Sequence, residues 1–518
     1  MLHCNGKILA RIFQIQNTCI RKGAVGALHG AVGDGKTNDA AAIFAAHKYA
    51  NEHGLPVKSE EGAVFYISDV DERIVIQTDT DWTGSSFILD DREFADPDVR
   101  KKKNGSIFIV APTEPEYTLE GLAPPKKFDN KLDITLGKPA LILLYDNTQI
   151  RYKRSGGDAN DGSAQTEIII VDENGNVSPE TPIMWDYNEV SSARVFPIDE
   201  KPLTLKGGKF TTIAPQKVVG RRYIERNISI RRSNVIVDGF EHYVENEDEM
   251  GSPYGGIFSI NCCAHVTLKN CILTPRVYFR FNLPDGRPYG QGTYELSISY
   301  TASLTFENCR QTCNINDPKW WGIMGTNYCK NMVLRDCIFS RFDAHQGVAN
   351  VSIYGCDLGY QGVETIGIGT VYVENSHLYG HNMIVLRPDY GSSWEGEIVI
   401  KNCRWTPSFG NVIASLRPVI GGFNKEDHDY GYHCCMPHTV TIDGLYIDDS
   451  RTTGDGGITV FTAFNPDHTT EEYEKNVKYP YTVAKTLKMR NITTASGKKP
   501  LTFANEFMFR NTEVIENF

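Results

Sequence analysis

The residues best suited to chemistry in this chain of 518 residues are concentrated between positions 317 and 395. The run Arg341-Phe342-Asp343-Ala344-His345 places an acid and an imidazole at alternate positions, and Glu364 follows it. Beyond lie His381, Arg387-Pro388-Asp389-Tyr390 and Trp394-Glu395, and just before comes Asp317-Pro318-Lys319-Trp320-Trp321. Carboxylates serve as general acid, base or nucleophile, aromatic faces stack on sugar rings, and Arg or Lys holds anionic substituents. Cleavage of a glycosidic bond by hydrolysis requires two carboxyl groups about 5–9.5 Å apart. Asp343 with Glu364 is the first expected pair and Asp389 the reserve, with Arg387 close by and His345 tuning an acid or binding substrate. Asp317, Lys319, Trp320, Trp321, His381, Tyr390, Trp394 and Glu395 make up the expected substrate-binding set. Any one of these side chains is equally well explained by a turn or a surface ladder. The density of the cluster carries the argument.

Such a cluster needs a scaffold that sets distant segments side by side, and the sequence contains one. From about residue 228 a β-run ending in Asn, Asp or Gly and then a small or apolar residue recurs. Copies stand at 235–240, 266–271, 304–309, 333–337, 351–356, 371–376 and 399–403, with fainter ones at 442–445 and 489–492. Cys337, Cys356 and Ser376 are 19 and 20 residues apart, the length of a bare solenoid coil; the longer steps are coils with loops inserted. Alternation turns the apolar residues and cysteines inward, and the Asn, Asp or Gly before each cysteine suits a bend in the left-handed region. Eight residues after Cys309, Cys337 and Cys356 lie Asp317, His345 and Glu364, which would then form one outward column.

The fold expected is all-β, a right-handed parallel β-helix with an N-terminal capping α-helix and an inserted antiparallel β region. Thr37-Asn38-Asp39 offers N-caps for an Ala-rich helix running to Glu52, with Gly54 as its C-cap. The expected division is a tail at 1–24, cap and first rungs at 25–92, early rungs with the insertion at 93–227, and the main β-helix at 228–518. Gly33-Asp34-Gly35-Lys36-Thr37-Asn38-Asp39-Ala40 before that helix resembles the opening of the pectate-lyase-like β-helix superfamily, which includes polysaccharide lyases, several glycoside hydrolase families and phage tailspike depolymerases. The resemblance implies a carbohydrate substrate bound in a lateral groove. It does not choose the reaction, and the Asn-Thr-Asp, Gly-His-Gly and Arg-Ile-Lys motifs of polygalacturonases do not stand out.

Hydrolysis is the first reading, with no cofactor. The alternatives are a calcium-dependent lyase, with Arg387 as base and Asp343, Glu364 and Asp389 around the cation, and a tailspike or adhesin that binds glycan without cleaving it. Either a monomer or a homotrimer fits.

Other motifs weigh less. Residues 30–37 match Gly-x-x-x-x-Gly-Lys-Thr, but a phosphate loop needs a buried strand before it and βαβ units around it. His428, His433, Cys434, Cys435 and His438 have the residue types for zinc, yet adjacent cysteines rarely share an ion. The acidic run 245–249 and the basic run 100–103 read as solvated loops. A net charge of -11 argues against nucleic acid. The odd count of 13 cysteines, scattered through strands, argues against a disulfide framework. No apolar run approaches the roughly 18 residues of a membrane span. The apolar stretch at 8–10 is broken by Arg11, so no signal peptide is visible, and a cytoplasmic or virion-associated location is expected.

Overall fold

A computed structural model describes residues 14–15, 30–283, 286–407, 417–452 and 457–518; the rest of the expected tail, and with it the question of a signal peptide, lies outside them. The cap forms as its sequence dictates. Helix α1 (Ala40–His53) buries Ala40, Ile43, Ala46 and Ala50, and Gly54 ends it at φ 64°, donating its N–H to Ala50 O. The loop before it does not resemble a phosphate cradle. Asp34 Oδ1 accepts from the amides of Lys36 and Thr37, and the Asp39 carboxylate accepts from Val32 and Gly33, so the amides that would face an anion are already bonded.

Behind the cap, strands of successive coils pair in parallel into one continuous ladder reaching Glu513–Glu516. Its interior is built by registered columns. Leu268, Phe306, Leu334, Ile353, Val373, Ile400, Ile442 and Met489 stack on one another, each from the next coil. All eight are buried, and each large side chain so buried contributes about 1.5–3 kcal/mol. The cysteines Cys271, Cys309, Cys337, Cys356 and Cys403 point inward beside this column as free thiols. The residues before them, Asn270, Asn308, Asp336, Gly355 and Asn402, all have φ between 48° and 62°. Asn and Asp tolerate this conformation because short polar side chains bond locally. Asn308 Nδ2 donates to Asn270 Oδ1 at 2.8 Å, and Asn270 Nδ2 donates to Asp238 Oδ1 at 2.8 Å.

An antiparallel sheet interrupts the solenoid, with strands Ser163–Val171, Ala140–Arg151, Ser192–Pro197 and Tyr117–Thr118 in that order. Leu141, Leu143, Ile168 and Ile170 of one face pack on Cys262, Ala264 and Ala302 of the β-helix. The other face carries a core of its own, with Ile142, Leu144, Ile169 and Val195. A buried ion pair between Lys330 and Glu167 fixes the two bodies together.

Two local expectations are corrected. The basic run is not a loop: Pro97–Lys103 is helical, capped by Asp96, and Arg100 is buried and donates to Val219 O. In the acidic run, Glu247 turns inward, where Oε2 accepts from Val277 N at 3.1 Å and burial pushes its carboxyl up to about 7. Among the described residues no helix is long and apolar enough to cross a membrane.

Candidate active site

The site is built on the coil strands Met324–Asn327, Ile338–Gln346, Asp357–Thr365 and Ile384–Leu386. Their pairing decides which side chains are neighbours. Ile338 and Phe339 pair with Asp357 and Leu358, but the next pairs are Arg341 with Gly362 and Asp343 with Glu364, so the second strand bulges by two residues. The bulge overturns the expected column. Glu364 lies beside Asp343 and not beside His345, and Val385 is the next member. Asp317 leaves the column altogether, because its coil inserts a turn in which Asp317 Oδ1 accepts from Lys319 N.

Two arginines and three carboxylates interlock here. Arg387 Nη1 donates to Asp343 Oδ1 at 2.9 Å and to Glu364 Oε2 at 3.1 Å, while Nε and Nη2 hold both oxygens of Asp389 at 3.0 and 2.8 Å. Arg341 donates to the other oxygen of Asp343 and, at 3.3 Å, to Glu364 Oε2. Gly322 covers Arg341 closely: a Cβ there would fall 2.4 Å from Arg341 Cδ. His345 Nδ1 lies 3.8 Å from Asp343 Oδ2, beyond hydrogen-bond reach.

Environment separates the carboxylates. Asp343 is 0% exposed; burial would raise its carboxyl, but Arg341, His345 and Arg387 outweigh burial and keep it ionised well below the usual range. Glu364, whose side chain is 26% exposed, is pushed up by burial and by the Asp343 charge, with Arg341 and Arg387 opposing only in part. For Asp389 burial again raises, but the hydrogen bonds and charge of Arg387, with Arg154 behind them, hold it low. Burial also lowers His345, against the Asp343 charge, which raises it. Arg387 stays cationic because its three carboxylates outweigh its burial.

These groups open on a cleft of about 810 Å³. Of the expected residues, Trp321, His345, Glu364, Arg387 and Asp389 line it, and Asp343 lies behind them. Trp321 stacks on Tyr278 with ring centroids 5.0 Å apart and carries Arg341 over its face.

The remaining expected binders are elsewhere. Trp394 is a core residue, its Nε1 donating to Gly369 O at 3.0 Å, because its strand, Trp394–Trp405, begins well before the repeat copy at 399–403. Glu395 pairs with Lys127 of the insertion. His381 faces Arg417, and Tyr390 is buried against Tyr152 beneath the site. Lys319 lies over the Trp320 ring outside the cleft, and Trp320 O accepts from Tyr360.

Several lining residues went unforeseen. Arg341 was legible, since alternation sets it on the same face as Asp343. Arg154 and Asp158 come from the insertion, and Tyr223, Tyr289 and Tyr294 from loops and coils farther upstream; Tyr278 belongs to the run 276–281, whose residue types suit a groove wall as well as packing beside the β-helix. No periodicity links these segments to the acids.

The calcium arrangement is not present as drawn, because Arg387 occupies the space between the three carboxylates. Among the described residues no three His, Cys, Asp or Glu side chains gather as metal ligands. The zinc candidates disperse: His428 Nε2 meets Lys153 O, His433 meets Thr482, and both cysteines are buried.

No family model matches the sequence, and no curated protein matches it. Among solved structures the chain is similar to the gp49 tailspike of Pseudomonas phage LKA1, at 11% identity over 94% of this chain and 83% of that one, TM-score 0.43. It is also similar to the Gp54 tailspike of Acinetobacter baumannii bacteriophage AP22, solved with A. baumannii capsular saccharide, at 12% identity over 93% and 77%, TM-score 0.47. The A-module of the Azotobacter vinelandii mannuronan C-5 epimerase AlgE6 gives 11% identity over 95% and 98%, TM-score 0.37.

Proposed function

We propose that this protein cleaves glycosidic bonds by hydrolysis in the lateral cleft of its β-helix. The observation that carries the reading is the pair Glu364 and Asp389, which line the cleft on opposite sides of the Arg387 guanidinium with their proton affinities pushed apart. Divergent carboxyls are the arrangement in which one acid donates a proton while the other stays ionised. Glu364 takes the role of proton donor to the leaving oxygen. Asp389 takes the role of the ionised partner, as nucleophile or as base toward water. Asp343, the first choice on sequence, is fully enclosed and takes a positioning role: it orients Arg341 and Arg387. Trp321 and Tyr278 supply an aromatic wall against which a sugar ring can pack.

A panel of polysaccharides read at once for reducing ends and for the ultraviolet absorbance of unsaturated products tests this reading. Reducing ends without absorbance, abolished in Glu364→Gln and in Asp389→Asn, are expected. Absorbance in step with cleavage would establish elimination instead. One observation favours binding without cleavage as a second reading. Both oxygens of Asp389 are already held by Arg387, a bond that substrate must loosen before Asp389 can attack. Saturable binding with no new ends on any glycan would establish that reading.

A further inference from the structure

We infer that the cleft admits the ends of glycan chains, or short oligosaccharides, and excludes chain interiors, because its two walls are joined across the mouth. The inference rests on the hydrolase reading above. One wall is the insertion loop that follows Ala140–Arg151; the other is the antiparallel hairpin Phe279–Asn282 with Pro288–Gln291. They are 131 positions apart in sequence, yet the Tyr289 hydroxyl donates to Asp158 Oδ1 at 2.7 Å. The same hydroxyl accepts from Arg221 Nη2 at 2.9 Å, and the Arg221 guanidinium lies 4.4 Å from the Tyr289 ring centre. Asp158, Tyr289 and Arg221 all border the cleft, and both hydrogen bonds are exposed, so the clasp sits at the mouth and not in the floor.

The insertion loop is also fastened at its other end. Ser155 N donates to Asp389 O at 2.8 Å, and Arg154 Nε lies 2.9 Å from Asp389 Oδ2. The hairpin is seated with equal firmness: a Cβ on Gly290 would fall 1.9 Å from the Tyr278 hydroxyl oxygen, so only glycine brings the two that close. A polymer laid through the cleft must break the hydroxyl–carboxylate bond and part both walls. A chain end enters without doing either. The volume of about 810 Å³ suits a ligand of a few rings.

The test takes the full chain with polygalacturonate, alginate, hyaluronan and α-1,3-glucan as probes. On any probe that yields reducing ends, the unaltered protein is expected to release them while viscosity stays nearly constant. Tyr289→Phe keeps the ring but loses both hydrogen bonds, and is expected to lower viscosity several-fold more per bond broken. An early collapse of viscosity with the unaltered protein overturns the inference and leaves the hydrolase reading standing. So does a viscosity profile that neither Tyr289→Phe nor Asp158→Ala changes. If no probe is cleaved, the hydrolase reading fails, and binding to size-fractionated probes decides the clasp separately. Saturation set by the molar concentration of chain ends supports it. Saturation set by polymer mass, or no binding at all, overturns it.

Discussion

One set of coils carries two faces that follow different rules. At the cysteine turns every coil keeps step: Asn270, Asn308, Asp336, Gly355 and Asn402 share one backbone conformation, and the residue after each is a buried thiol. On the cleft face the step is broken. Pairing slips between Phe339 and Arg341 and again between Thr326 and Asn327, and the coils there throw out the turn at Asp317 and the strand pair 279–282 with 288–291. The regular face buries apolar surface and needs nothing else. The irregular face holds Asp343, Arg341 and Arg387 almost out of water, which is tolerable only because each charge meets its opposite. Stability comes from the repeat, and the charged cluster that borders the cleft occupies the places where the repeat is violated.

This contrast is testable by substitution. The largest effect is expected from Glu364→Gln, which leaves the fold intact and removes the proton donor; kcat on a cleaved glycan should fall about 100- to 10,000-fold, with thermal unfolding unchanged. Asp343→Ala should do the reverse of a surface change. It takes one carboxylate partner from each of two buried guanidiniums, leaving Arg341 only the 3.3 Å contact with Glu364, and should cost about 3–5 kcal/mol in denaturant unfolding. Because the folded pKa of Asp343 lies below its unfolded value, its contribution is complete above the ordinary carboxylate range and vanishes as pH falls through the folded value.

On the regular face Asn308→Ala removes the short polar side chain that makes the left-handed region tolerable and breaks the bond to Asn270, for about 1–2 kcal/mol and no change in kcat. The smallest effect is a displacement of the pH profile. Activity should persist below the usual carboxylate range, because Asp389 is held low, and should fall on the alkaline side as Glu364, held high, loses its proton. Asp343→Asn should draw that alkaline limb downward, since it removes a charge that raises Glu364.

The same contrast explains what the sequence made legible. The cap, the coil repeat, the inward cysteines and the left-handed turn residues are local patterns, and each is written within a few residues. The antiparallel insertion also showed itself, through its turn-bounded strands. The functional cluster was recognised as a region, and Glu364, Arg387, Asp389, His345 and Trp321 do share a cleft. The fine alignment failed, because two extra residues in the strand of Glu364 are invisible to a ruler that starts at Cys356. Trp394 and Asp343 stand back from the cleft for a common reason: residue type says what a side chain can do, and burial decides whether anything can reach it. Arg154 and Asp158 had no sequence signal at all, since what brings them to the site is the docking of Leu141, Leu143 and Ile168 on Ala264 and Ala302.

That docking also imposes an order in time. Coils can add one after another, each closing a short stretch of chain against the last. The insertion must instead wait for partners made much later, since Glu167 bonds Lys330 across 163 positions and Ser155 meets Asp389 across 234. Loop-closure entropy must be met before such contacts reward it. The wall that carries Arg154 and Asp158 therefore settles after the floor, and the molecule becomes competent only at the end of its folding.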